Sequence, residues 1–161
     1  GYLDAEYPTL RVMPNTAAAI AESMTCICGN ELADQHISKV EEMFRSLGET
    51  LIIEERLMKA ATVLAASGIA FFLRYIRAAT QGGIELGFEA EEAQKIAMQT
   101  ARGAASLLVE GNAHPEREID RVTTPMGCTI AGLNEMEHQG LSSALIKGIV
   151  TSFEKINTIA E

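Results

Sequence analysis

The sequence predicts a mainly α protein in which a strand–strand–helix–strand piece precedes a helical domain. Three observations carry this. Short apolar runs closed by Pro, Gly or Asn punctuate residues 1–55. From Arg56 onward, apolar residues recur at three- and four-residue steps. There is no Trp and aromatics make up only 5%, so the core must be mostly Ala, Ile, Leu, Val and Met. That composition suits close helix packing better than a β-sandwich. With 161 residues, 47% hydrophobic and 22% charged, the chain is globular and holds one domain, or one domain and part of another.

Leu10–Met13 reads as a short strand ended by Pro14 and Asn15, and Ser23–Cys28 as a second, closed by Gly29-Asn30. Ala33, Ile37, Val40, Phe44 and Leu47 then form one helical stripe, with Asn30 as its N-cap and Gly48 as its stop. Thr50–Glu54 is a third strand. This is the edge of an α/β sheet and too little to stand alone.

The helical part opens with Ala60–Leu73, a run without charge between Lys59 and Arg74. The run is too short to span a bilayer, which takes about 20 apolar residues. A helix apolar all round is expected to be buried on all sides, and its Ala, Ser and Gly residues allow close approach of another helix. Gly82-Gly83 should weaken or kink it. Glu89–Glu110 is a second helix with Ala93, Ile96, Ala97, Ala101, Ala104 and Leu108 inward, an acidic first turn, and Gly111 as its stop. His114-Pro115 starts a short helix. A helix from Thr129 to about His138 follows, then a break at Gly140. The last helix carries Ile146, Ile149, Phe153, Ile156 and Ala160 on one stripe. Such wide apolar faces exceed what one small bundle hides, so a dimer or larger assembly is expected.

Charge and cysteines narrow the function. The net charge is -9 with no Lys/Arg cluster, which argues against nucleic acid and against anionic membrane surfaces. Cys26, Cys28 and Cys128 make neither a disulfide framework nor a four-ligand zinc site, so no metal is expected. A reducing cytoplasm is the simplest setting. The three histidines, His36, His114 and His138, are scattered and read as structural or solvated.

The most informative stretch is Val122–Leu133, VTTPMGCTIAGL. A Pro and a Gly in a polar loop lead into a helix. Such a helix start offers unpaired N–H groups and a positive dipole end to a small anion such as a carboxylate. Taken alone, Thr129 could equally be an ordinary cap, and Thr124-Pro125 the end of a helix.

Several segments together resemble pyrroline-5-carboxylate reductase. They are Arg11–Thr16 (RVMPNT), Ser23-Met24-Thr25, Ser67-Gly68 with Ala70-Phe71, Gly82-Gly83, Leu86-Gly87, Gln99-Thr100, Gly103-Ala104-Ala105, His114-Pro115, VTTPMGCTIAGL, and Glu137 with Gly140. They occur in order over nearly the whole chain. The resemblance implies that residues 1–55 end a Rossmann-type nucleotide-binding domain and that 56–161 form a helical dimerisation and substrate-binding domain. It implies reduction of the C=N bond of 1-pyrroline-5-carboxylate to L-proline, with NADP or NAD as cofactor. It also implies a small imino-acid substrate and a homodimer able to build a ring of dimers. Thr124, Pro125, Met126, Gly127, Cys128 and Thr129 would bind substrate, with Thr129 as the catalytic hydroxyl on the ring nitrogen. Met13, Pro14, Asn15 and Thr16 would lie beside the nicotinamide.

The chain departs from the family pattern at specific places. Met126 and Ala66 replace glycines, Ile69 replaces a proline, Cys128 replaces a small residue, and Asn112-Ala113 lack an acid. No G-x-G-x-x-G occurs, so these residues alone are not expected to bind a dinucleotide in the usual way or to be active. About a hundred further residues upstream, one typical domain, are expected; a start at Gly1 and near a strand points to a fragment. Two other readings stand beside the reductase. One is a non-catalytic helical dimerisation module of the same fold; the other is a related dehydrogenase for another small imino or hydroxy acid.

Overall fold

The structure, a computed structural model, describes residues 6–159. Residues 1–5 of the predicted nucleotide-domain piece and Ala160 of the last stripe lie outside them. Contacts divide the chain into two compact units. The first holds residues up to Phe71 and those from Gly148 on; the second is Phe72–Lys147.

The first unit is built on a three-stranded sheet in the order β1–β2–β3. β1 (Leu10–Met13) runs antiparallel to β2 (Ser23–Gly29), with Leu10 opposite Gly29 and Met13 opposite Cys26. β3 (Gly48–Ile52) is parallel to β2, with Ser23 opposite Gly48 and Ile27 opposite Ile52. A parallel pair needs a crossover, supplied by α1 (Asp34–Arg45), which packs on β2 and β3. Its half-buried Ile37, Val40 and Phe44 are the predicted stripe. β2 is the core, with Ser23, Thr25, Cys26, Ile27 and Cys28 all buried.

Three local expectations shift here. β3 starts at Gly48, two residues earlier than the apolar run indicated. Gly48 has φ 134°, and a Cβ there would lie 2.3 Å from the Ser23 carbonyl oxygen, so strand pairing rather than helix termination requires it. Asn30 makes no side-chain cap bond. Its amide instead accepts from Thr9 N–H at 3.1 Å and donates to the Tyr7 carbonyl at 2.8 Å, pinning the entry to β1.

From Glu55 one helical stretch runs to Glu85. It comprises a 3-10 turn (Glu55–Leu57), α2 (Met58–Ala61), a π-helical segment (Thr62–Ser67) and α3 (Gly68–Glu85). The stretch is long and apolar enough to cross a membrane by length and composition. Its best 18-residue window has mean hydropathy 1.5, with 17% of that window buried in the single chain. Within the single chain the helix is therefore not covered on all sides. Met58 and Val63 are buried, whereas Leu64, Phe72 and Leu73 are exposed. The surface that would cover these side chains is not found among the described residues.

In the second unit, α3 continues through Gly82-Gly83 without a break. A Cβ on Gly83 would come within 2.9 Å of Ala93 Cβ, so Gly83 admits α4 (Ala90–Gly111) to close contact. α4 ends at Asn112, whose φ of 43° is left-handed; Gly111 stays helical. Asn tolerates that conformation because its short polar side chain bonds locally. α5 (Pro115–Val122) starts with His114 Nδ1 accepting from Glu116 N–H, as its N-cap. α6 (Cys128–His138) and α7 (Leu141–Ile159) are separated by Gly140, with φ 85°.

Candidate functional site

The loop between α5 and α6 is a capped turn. The Thr123 hydroxyl donates to the Ile119 and Asp120 carbonyls and closes α5. Gly127 N–H then donates to the Thr124 carbonyl at 2.9 Å. Pro125 suits the second position of such a turn, and the third, Met126, has φ 60°. A turn with positive φ at that position normally takes glycine. Met126 occupies it with its side chain fully exposed.

Gly127 has an ordinary φ of -74°, so its requirement is space. A Cβ there would sit 2.4 Å from Thr124 Oγ1 and 3.0 Å from the Thr124 carbonyl oxygen. Helix α6 begins at the next residue. The N–H groups of Cys128, Thr129 and Ile130 precede its first internal bond and have no acceptor among the described residues. Gly127 N–H, expected among the gripping groups, is used inside the turn; the open set lies one residue later. Cys128 is exposed and Thr129 half-buried. Three aligned donors, a hydroxyl and a helix dipole can hold a carboxylate and one further acceptor.

The second group belongs to the first unit. Met13 ends β1 opposite Cys26. Asn15 caps a 3-10 turn (Thr16–Ile20), its Oδ1 accepting from Ala17 N–H at 2.9 Å. Its Nδ2 donates to the Ala65 carbonyl at 3.1 Å, inside the π-helical segment. Its own N–H donates to Ser23 Oγ at 3.0 Å, and Ser23 Oγ lies 3.2 Å from Thr25 Oγ1. Pro14 and Thr16 are exposed.

A third cluster was not foreseen. The Cys28 thiol donates to Glu55 Oε2 at 2.9 Å, and Glu55 also pairs with Arg11. Burial, then the Glu55 bond, push the Cys28 thiol up from 9.0 to about 11. The Cys28 bond, and after it Arg11, hold the Glu55 carboxyl below its usual value. Arg11 and Cys28 face each other across β1 and β2, a pairing that only the strand register discloses. Cys26 and Cys28 are buried and Cys128 exposed, all as free thiols. Among the described residues no three His, Cys, Asp or Glu side chains converge as a metal site.

The family model described as pyrroline-5-carboxylate reductase dimerisation matches residues 55–159. Pyrroline-5-carboxylate reductase 2 of Dictyostelium discoideum is 53% identical, over 94% of this chain and 55% of its own length. Pyrroline-5-carboxylate reductase 1 of the same organism is 51% identical, over 96% of this chain and 30% of its own length. Among solved structures, 1-pyrroline-5-carboxylate reductase from Streptococcus pyogenes is 34% identical with a TM-score of 0.87, over 93% of this chain and 58% of that one. The Plasmodium falciparum pyrroline carboxylate reductase with NADP bound shares the fold, with a TM-score of 0.89 at 23% identity, over 97% of this chain and 63% of that one. The chain thus spans about half, or less, of the length of these curated relatives. It belongs to the pyrroline-5-carboxylate reductase family.

Proposed function

We propose that the full-length protein reduces 1-pyrroline-5-carboxylate to L-proline with NADPH or NADH. In this reading residues 1–55 end the nucleotide-binding domain, and 56–161 bind substrate and dimerise. The observation that carries it is the turn Thr124–Gly127 delivering Cys128, Thr129 and Ile130 as open donors at the head of α6. Their N–H groups hold the substrate carboxylate. The Thr129 hydroxyl bonds the ring nitrogen, which gains electron density as the C=N bond is reduced, so this bond strengthens along the reaction. Thr124, Pro125, Met126 and Gly127 shape the loop around them.

The turn Met13, Pro14, Asn15, Thr16 fits the nicotinamide end of a dinucleotide. Thr16 is exposed there and its hydroxyl is not used in any bond among the described residues. The phosphates need a Gly-rich turn, and the sequence holds no G-x-G-x-x-G. When bound, the dinucleotide supplies the hydride; the head of α6 holds the imino acid by its carboxylate and ring nitrogen.

A second copy of the chain covers the exposed side chains of α3, including Phe72 and Leu73. The match to a dimerisation model over 55–159 favours a homodimer over a membrane for that apolar helix. Dimers of this kind can assemble further into a ring. The three free thiols accord with a cytoplasmic protein. Met126, standing exposed in the substrate loop, keeps open a second reading: a related dehydrogenase with another small imino acid as substrate.

The test follows NADPH or NADH consumption by the full-length protein on addition of 1-pyrroline-5-carboxylate. Turnover in the ordinary enzymatic range, about 1–1,000 per second, is expected. Consumption with a six-membered-ring imino acid but not the five-membered one would favour the second reading. No consumption with either would overturn both.

A further inference from the structure

We propose that Asn15 is a positioning residue that latches the turn at the end of β1 to the π-helical segment Thr62–Ser67. Its role in catalysis rests on the reductase reading above; the latch itself does not.

The π segment is bonded at longer range than an α-helix, with Gly68 N–H donating to the Val63 carbonyl. Such segments are rare, and those that occur are often at functional sites. Two side chains donate to backbone carbonyls in or just before this one. The Thr62 hydroxyl donates to the Met58 carbonyl at 2.8 Å, and Asn15 Nδ2 donates to the Ala65 carbonyl at 3.1 Å. The first is a local back-bond within the helix. The second comes from fifty residues away in sequence and ties the segment to the sheet.

Asn15 is itself held on every side. Ser23 Oγ takes its N–H, Ala17 N–H binds its Oδ1, and Thr25 Oγ1 backs Ser23. Ser23 and Thr25 are 2% and 0% exposed, so this chain of hydroxyls is fixed by the core of β2. With Oδ1 held by Ala17 N–H, the other end of the Asn15 amide, Nδ2, points to the Ala65 carbonyl. Ala65 thereby joins the turn at residues 13–16 to the segment that leads into α3 at Ser67-Gly68. Misplacement of reacting groups by about 1 Å can cost about 100-fold in rate, which gives such a latch its value.

The test uses Asn15→Asp and Asn15→Ser in the full-length protein. Both keep an oxygen to cap Ala17, so the fold is retained; ionised Asp has no donor, and the shorter Ser hydroxyl does not span the distance that Nδ2 covers to Ala65. Amide exchange over residues 66–71 should quicken by about 3- to 10-fold, the worth of one neutral hydrogen bond. Exchange in β2 should stay as it was. kcat should fall about tenfold while the KM for dinucleotide stays within about twofold, because the side chain acts through Ala65. Unchanged exchange over 66–71 would overturn the latch. A tenfold rise in dinucleotide KM with kcat and the exchange over 66–71 both kept would also overturn it, since the Asn15 side chain would then serve the cofactor and not Ala65. In a protein without reductase activity the exchange measurement alone decides, so failure of the functional reading and failure of the latch remain distinct.

Discussion

Gly127 packs so tightly over Thr124 that a Cβ at 127 would stand 2.4 Å from Thr124 Oγ1, while Gly127 N–H closes the turn on the Thr124 carbonyl at 2.9 Å. The turn and the head of α6 are thereby one unit. Gly127→Ala must push the two apart, displacing the donors at 128–130. Displacement of this kind should raise the KM for the imino acid by about tenfold or more, the worth of a misaligned charge-assisted bond. Thr124→Ala removes Oγ1 and should recover part of the loss in the double variant. Steady-state kinetics of the three variants check this; an unaffected Gly127→Ala enzyme would contradict it.

Met126 is strained and contacts nothing through its side chain. Its φ is 60° and its side chain is fully exposed. Left-handed backbone costs a non-glycine residue about 1–2 kcal/mol, and glycine gives back about 0.4–1 kcal/mol through the freer unfolded chain. Met126→Gly should therefore stabilise the protein by roughly 0.5–1 kcal/mol. The gain would appear as a rise in Tm, with activity on 1-pyrroline-5-carboxylate at least retained. A fall in Tm would show that Met126 is held by contacts not seen in the single chain.

Much of this was legible in the sequence, for identifiable reasons. β1 ends where Pro14 and Asn15 stand, and α5 starts at His114-Pro115, because those residues act locally. Met126 could be read as a mismatch only through the family resemblance, which implies a glycine there; its φ of 60° supplies the physical reason. Other features depend on distant partners. The π-helical segment has no sequence signature, and its bond to Asn15 joins residues fifty apart in the chain. Asn30 has the right chemistry for a cap, but Tyr7 and Thr9 claim its amide. Phe72 and Leu73 are exposed in the single chain, because apolar periodicity says that a face will be covered, not by which chain.

Cys28 makes the fold sensitive to alkali. Its thiol is pushed up from 9.0 to about 11, by burial and then by the bond to Glu55. The folded state therefore favours the protonated thiol. The resulting stability is complete below pH 9.0 and drains away as pH rises toward about 11, at up to about 1.4 kcal/mol per pH unit. Cys28→Ser keeps a donor to Glu55 but does not titrate there. Urea unfolding across this range should show a steeper loss for the natural protein than for the variant; parallel curves would contradict the assignment.

Phe72 is 71% exposed in the single chain and is expected at the interface between copies. Light scattering at micromolar concentration should give at least a dimer for the full-length protein. Phe72→Asp should weaken association by about 100-fold or more, since burying a Phe is worth about 1.5–3 kcal/mol and a two-fold interface counts it twice. A monomer before substitution, or no change after it, would contradict the interface.

The head of α6 is proposed to grip the substrate, with Thr129 on the ring nitrogen. The most direct measurement compares kcat/KM for 1-pyrroline-5-carboxylate in the full-length protein before and after Thr129→Ala. One lost hydrogen bond of this kind costs about 1.5–3 kcal/mol, a 10- to 100-fold fall. Such a fall, with Tm nearly unchanged, is the predicted result. Unaltered kcat/KM would place the reacting nitrogen elsewhere and contradict the account.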